Sequence, residues 1–351
     1  MALACGVGGL AVQTGIGGPA ELAAQAAATT NVRVERLLDA PIITPDLHPS
    51  IGENIQGPSV IRVPEWVENP LGAYYLYFAD HKGTYIRLAY ADDLLGPWRI
   101  HPAGSLQIAG SYFLTAPPEV APEREAQLRA QPTNRGHDSF VEATTPHIAS
   151  PDVHVDDENR RIVMYFHGLD GVSRQVSRVA TSSDGIRFEA RPEPLGRTYM
   201  RALEHDGYTY IMSMPGQFYR SRNPLSGFEE GPRLFNGNMR HAALLKRGET
   251  LFVFWTQVGQ APERIYLSTI DISGDWTNWA ETPGVEVLRP EFDWEGADAP
   301  LESSVRSTAY GHVNQLRDPA ILEDPESGRV FLLYAVAGES GIAIAEVHFD
   351  D

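Results

Sequence analysis

The stretch His147 to Ala190, HIASPDVHVDDENRRIVMYFHGLDGVSRQVSRVATSSDGIRFEA, decides how the rest of the chain is read. Four runs rich in β-branched and aromatic residues are predicted as strands: Pro151 to Val155, Arg161 to Phe166, Gln175 to Ser182 and Ile186 to Ala190. Between them Asp156-Asp157-Glu158-Asn159 and Ser183-Asp184-Gly185 supply turn residues, Gly185 being free to take the positive φ of a tight hairpin. One antiparallel four-stranded sheet follows.

A lone sheet of that size cannot bury both faces, so copies of it are expected. The same grammar returns in GPSVIRV with AYYLYFAD and TYIRLAYADDLLGPWRI, in the segment from Tyr199 to Gly231, in that from Met239 to Trp279, and in RDPAILEDPESGRVFLLYAVAGESGIAIAEV. The last copy ends after three strands, and Val32 to Leu38, VRVERLL, supplies the missing outer one. The fold class is therefore all-β, a five-bladed propeller over residues 32–351 whose ring is closed by the N-terminal segment, an arrangement that leaves few exposed strand edges.

Residues 1–31, rich in Ala and Gly, have no place in the blades and read as a leader or disordered extension. They carry no Lys or Arg, so the basic start of a signal peptide is missing and a cytoplasmic protein is favoured over an exported one. The formal charge of −18 argues against nucleic acid or an anionic membrane as partner. No run approaches the length of a membrane span. With Cys5 as the one cysteine, neither an intrachain disulfide nor a thiolate metal site is available.

Strand alternation assigns loops to faces. The loops between second and third strands share the upper face with those between blades, and there the chemistry gathers: His81-Lys82, His167, Arg174-Gln175 and Glu339, with Glu53, Asp152, Arg201, Arg240-His241 and Arg317-Asp318 near the openings of the inner strands. Two long insertions, His101 to Thr145 and Thr282 to Gln315, wall the same side; loops of that length are usually functional. Each residue has a structural alternative. Asp152 and Asp318 suit backbone caps, His167 and His241 suit satisfied core histidines, and the three inner-strand arginines suit a charge network with Asp152, Asp318 and Glu53.

Five blades, the SPDV and RDPAI openings, the YYLYFA and FLLYAV second strands, and the phrases YADDLLGPW and TSSDGIRFE resemble the five-bladed glycoside hydrolases of family 43 and their relatives. The resemblance runs from about residue 32 onward and implies a carbohydrate substrate bound at the axis. It also implies three catalytic carboxylates, which this sequence does not match. Gly57-Pro58-Ser59 stands where Asp-Pro-Ser is expected, Arg201 stands near the second position, and Arg240-His241 stands at the third. Glu230-Gly231-Pro232 has the letters of the acid motif but falls on an outer strand.

The expectation is thus a glycoside hydrolase with non-standard catalytic residues. Asp152, Asp318, Glu53 and His241 are the catalytic candidates, with Arg201, Arg240, Arg317, His81, Lys82, His167, Gln175 and Tyr85 binding substrate. A uronate-specific polysaccharide lyase, with His241, Tyr85 or Tyr199 as base, and a non-catalytic sugar-binding propeller are the alternatives. No cofactor is required. An axial metal near His81, His167, His241 and His312 is conceivable, although no spacing matches a ligand motif. Oligomeric state is left open.

Overall fold

A computed structural model describes residues 32–131 and 138–349. Five four-stranded antiparallel sheets form a five-bladed β-propeller. Blade I holds β2 (Gln56–Arg62), β3 (Tyr74–Ala79), β4 (Tyr85–Ala91) and β5 (Arg99–Gln107). Blade II holds β6 (Ile148–Asp156), β7 (Arg161–Gly171), β8 (Arg174–Ser182) and β9 (Glu189–Ala190). Blade III holds β10 (Arg201–His205), β11 (Tyr208–Ser213), β12 (Gln217–Ser221) and β13 (Glu229–Arg233), so Glu230 does lie on an outer strand. Blade IV holds β14 (Met239–Arg247), β15 (Thr250–Gln257), β16 (Ile265–Asp271) and β17 (Val285–Leu288). Blade V holds β18 (Arg317–Glu323), β19 (Val330–Ala335) and β20 (Ile342–Phe349), and β1 (Val32–Arg36) completes it by pairing antiparallel with β20 from Val32 opposite Phe349 to Arg36 opposite Ala345. The predicted leader, residues 1–31, lies outside the described residues.

The second strands are largely apolar because most of their side chains are buried on one face or the other. In YYLYFA, Tyr74, Leu76 and Phe78 enter a cluster shared with Leu333 and Ile344 of blade V, while Tyr75, Tyr77 and Ala79 enter one shared with Met164 and Phe166 of blade II. Val330, Leu332 and Tyr334 of β19 likewise face blade IV, and Phe331 and Leu333 face blade I. Five such clusters, one between each pair of neighbours, hold the ring. Period-two side-chain alternation is what lets one strand feed two interfaces.

Three expectations are corrected in detail. The outer strand of blade IV is Val285–Leu288, within the stretch Thr282 to Gln315 read as an insertion, rather than in the segment ending at Trp279, where Trp276–Asn278 forms a short 3-10 turn. The outer strand of blade II is short, Glu189–Ala190 rather than Ile186 to Ala190, because the Asp184 carboxylate accepts from the backbone N–H groups of Ile186 and Arg187 and holds them in a turn. The first insertion is not wholly irregular. It carries α1 (Pro122–Arg129) and α2 (Ser139–Thr144), the latter capped by Asp138.

Inner strands β2, β6, β14 and β18 share one device. Pairing jumps by an extra residue between Gln56 and Ser59, Ala149 and Asp152, Met239 and Ala242, and Arg317 and Ala320. Each is a bulge at the same height, and in three of them the first extra residue takes positive φ: Gly57 (63°), Ser150 (49°) and Asp318 (46°). Tyr199, just before β10, does the same at 57°. The sites read from sequence sit at or next to these bulges.

Candidate functional site

The bulges divide the axis. Above them lies a cavity of about 350 Å³, bordered by His81, Lys82, Glu142, Gln175 and Tyr199, and by Arg240, His241, Arg306 and Ser307, with Arg197 and Met214 at its edge. Below them a second cavity, of about 320 Å³, opens toward the other face and is bordered by Ser59, Asp152, His154 and Arg201.

His241 is the central group of the upper cavity. Its imidazole packs 4.7 Å from the Tyr199 ring, which stacks on His167 at 4.6 Å. Its Nδ1 lies 3.0 Å from Asp318 Oδ1. Asp318 is fully buried, and neither of its carboxyl oxygens reaches hydrogen-bond alignment with any described group. Burial, reinforced by nearby Glu339, pushes the Asp318 carboxyl up to about 7 despite the opposing charges of Arg240 and Arg317. Burial, then Arg240, pushes His241 well below the ordinary imidazole value.

Arg240 Nε approaches His241 Nε2 at 3.3 Å, and the backbone N–H of Asp318 approaches Nδ1, also at 3.3 Å. A neutral imidazole has one lone pair and one N–H, so its tautomer follows the Asp318 proton. With Asp318 ionised, Nδ1–H faces the carboxylate and Nε2 accepts from Arg240. With Asp318 protonated, the carboxyl donates to Nδ1 and the ring proton sits on Nε2, which can then no longer accept from Arg240.

Around this couple lies a sealed charge network. Glu339, 1% exposed, accepts from Arg317 Nη1 at 2.7 Å and Asn54 Nδ2 at 2.8 Å and lies 3.3 Å from His81 Nδ1. Burial alone would raise its carboxyl, but His81 and Arg317 hold it well below the usual range. Arg240 lies 3.5 Å from Glu263, which is likewise buried. Nearer the mouth, Lys82 Nζ meets Glu142 of α2 at 2.9 Å, and Ser307 donates to the same carboxylate. These contacts tie both insertions to blade I. Burial opposes ionisation of Glu142, and Lys82 overcomes it, leaving the carboxyl below its ordinary value.

The positions expected from sequence divide accordingly. His81, Lys82, Gln175, Arg240 and His241 border the upper cavity, and Asp318 backs it. Asp152 belongs to the lower cavity. It lies 2.6 Å from His154 Nε2, accepts from the Ala202 N–H and sits 3.6 Å from Arg201, which is the capping and pairing role. Arg201 donates to the Ala242 and Pro151 carbonyls at the border of the lower cavity, and Arg317 donates to Gln315, Ser307 and Glu339 outside both cavity borders.

His167 is buried behind Tyr199, and Tyr85 donates to the Ser50 carbonyl outside the cavity border. Glu53 is exposed just before β2 and borders neither axial cavity. Among the described residues no group of three or more His, Cys, Asp or Glu could hold a metal ion. Glu142, Arg197, Met214, Arg306 and Ser307 were not anticipated; Met214 comes from the loop between β11 and β12 and the others from inter-blade segments and insertions, where no strand period marks which side chains turn inward.

No family model matches the chain. Among solved structures, a thermostable family-43 glycoside hydrolase superposes with a TM-score of 0.53 at 14% identity, covering 85% of this chain and 91% of that one. A family-43 β-xylosidase/α-arabinofuranosidase from a compost microbial metagenome, in complex with xylotriose, gives 0.53 at 11%, covering 90% and 94%. At that identity the likeness is one of fold, the five-bladed propeller of that hydrolase family. In sequence, an uncharacterized protein of Acanthamoeba polyphaga mimivirus, R118, is 36% identical over 320 residues, 84% of this chain and 83% of that protein. At that level of identity and coverage, the chain belongs to the family of the mimivirus protein R118.

Proposed function

We propose that the chain is a carbohydrate-active enzyme that cleaves a glycosidic bond in the upper cavity. The observation that carries this reading is a histidine bordering an axial cavity with a buried carboxyl 3.0 Å behind it. This is the arrangement of a proton-transfer group oriented by an acid. The fold shared with family-43 hydrolases supports the substrate class by analogy.

In the acid form, Asp318 carries a proton and His241 carries one on Nε2. The Nε2 proton passes to the leaving oxygen while the Asp318 proton moves to Nδ1. The products of that transfer are an Asp318 carboxylate and a neutral ring whose Nε2 lone pair faces Arg240. Glu142, held ionised by Lys82, is the carboxylate at hand to activate water. Tyr199 packs on the ring in both forms, and Arg240 donates to Nε2 once its proton has left.

A second reading, elimination from a uronate, is favoured by one observation. Glu142 is the one carboxylate among the described residues bordering the cavity, where hydrolysis ordinarily uses two.

The test is a screen of the purified full chain against neutral and acidic oligosaccharides, reading new reducing ends and the ultraviolet absorbance of an unsaturated sugar. Reducing ends without absorbance support hydrolysis; both together support elimination. On the substrate found, Asp318→Asn and His241→Asn should each lower kcat about 100-fold or more. Full activity in both variants would end the assignment.

A further inference from the structure

We propose that the upper cavity is selective for an anionic sugar, whose ring-borne oxyanion, a carboxylate or a sulfate ester, is seated by Arg306 beside Arg240. The inference rests on the upper cavity being the sugar site, but not on cleavage occurring there.

Charge is distributed against the trend of the molecule. The chain carries −18 overall, yet among the described residues Lys82, Arg197, Arg240 and Arg306 border this cavity against the single carboxylate of Glu142. Two of the cations are already matched, Lys82 by Glu142 at 2.9 Å and Arg240 by Glu263 at 3.5 Å. Arg306 is different. Its guanidinium donates to the Met214 sulfur at 3.2 Å and to the Gly237 carbonyl at 2.9 Å, both uncharged. Burial and the neighbouring Arg240 weaken its hold on its proton, and Glu263 offsets this only in part.

A planar guanidinium, pinned at two nitrogens and facing a cavity, is suited to bind an oxyanion through its remaining donors. Ligand charge would also relieve the repulsion from Arg240. Gln175 and Ser307 stand in the same cavity as neutral partners for sugar hydroxyls, so the predicted ligand is a sugar carrying an acid rather than a bare anion.

The experiment measures binding of four probes to the full chain by titration calorimetry: tri-galacturonate, its methyl ester, a sulfated galactan oligosaccharide and the same oligosaccharide desulfated. At least one anionic probe should bind tenfold or more tightly than its neutral counterpart, and the preferred pair separates carboxylate from sulfate. Arg306→Gln should erase that preference, and Arg306→Lys should restore part of it, with melting temperatures of both near the wild type. Equal affinity within both pairs, or a preference untouched in Arg306→Gln, overturns the proposal. A neutral glycan bound and cleaved with dependence on His241 overturns it while leaving the cleavage reading intact. An Arg306-dependent preference without turnover supports it and removes the cleavage reading. Absence of binding by all four probes overturns it as stated.

Discussion

Asp318 Oδ1 and His241 Nδ1 stand 3.0 Å apart, and both residues belong to bulges at the same height of neighbouring inner strands. The carboxyl is pushed up to about 7 by burial while the ring is pushed well below its ordinary value. The acid form of the couple is thus populated below about pH 7, and kcat should decline as pH rises through that point. A pH profile of kcat on the identified substrate checks it; a rate that rises through the same window would remove the couple from the mechanism.

Folding stability should carry the same signature. A carboxyl whose folded value exceeds its unfolded one, near 3.9, contributes stability that is present below the unfolded value and declines as pH rises toward about 7. Asp318→Asn removes that contribution. The difference in unfolding free energy, wild type minus variant, should therefore fall between about pH 4 and 7, as read by urea denaturation at several pH values. A flat difference would contradict the raised value.

Glu339 gives a sharper result. Because Glu339 is the nearer of the two carboxylates beside the buried Arg317 guanidinium, at 2.7 Å against 3.7 Å for Glu263, Glu339→Ala leaves that charge under-compensated. The expected cost is about 3–5 kcal/mol, measured from denaturant midpoints. A loss below 1 kcal/mol, the size typical of exposed pairs, would show that the network is hydrated.

Restoring family letters should not restore family chemistry. Gly57→Asp makes Asp-Pro-Ser, but the new Cβ meets Ser150 Cα at 3.0 Å, and φ at residue 57 is +63°. The variant should lose about 1–3 kcal/mol and gain no hydrolytic rate. Unchanged melting temperature would mean that blades I and II move apart more easily than their packing implies.

The closing strand can be tested by truncation. A chain beginning at Asp39 lacks β1 and leaves β20 unpaired along its outer edge, whereas one beginning at Val32 keeps the pairing. The former should melt several degrees lower and scatter light on warming, since an open edge invites strand addition. Equal behaviour of the two would show that β1 contributes nothing to the ring.

The fold was legible because its physics is local and repeated. Runs such as YYLYFA alternate between two interfaces, Asp156-Asp157-Glu158-Asn159 and Ser183-Asp184-Gly185 sit at turns, and the incomplete last blade pointed to Val32 to Leu38. The site was legible only in part. Arg240, His241, His81, Lys82 and Gln175 fell in the upper cavity because counting strands fixes which end a loop occupies. Asp152 was misplaced because the bulge after Ala149 inserts one residue and carries it below the divide. Tyr199 bears positive φ without being glycine, and Arg306 comes from an insertion with no period, so neither announced its orientation.

The recurrence of one kink in successive spokes also bears on how such a scaffold changes use. Gly57, Ser150, Arg240 and Asp318 occupy equivalent seats around a common hub. An acid missing from the first seat is present in the fifth, flanked by the same proline, as Gly57-Pro58 against Asp318-Pro319. A charged side chain can thus occupy one seat and be absent from its counterpart while both spokes keep the same kink.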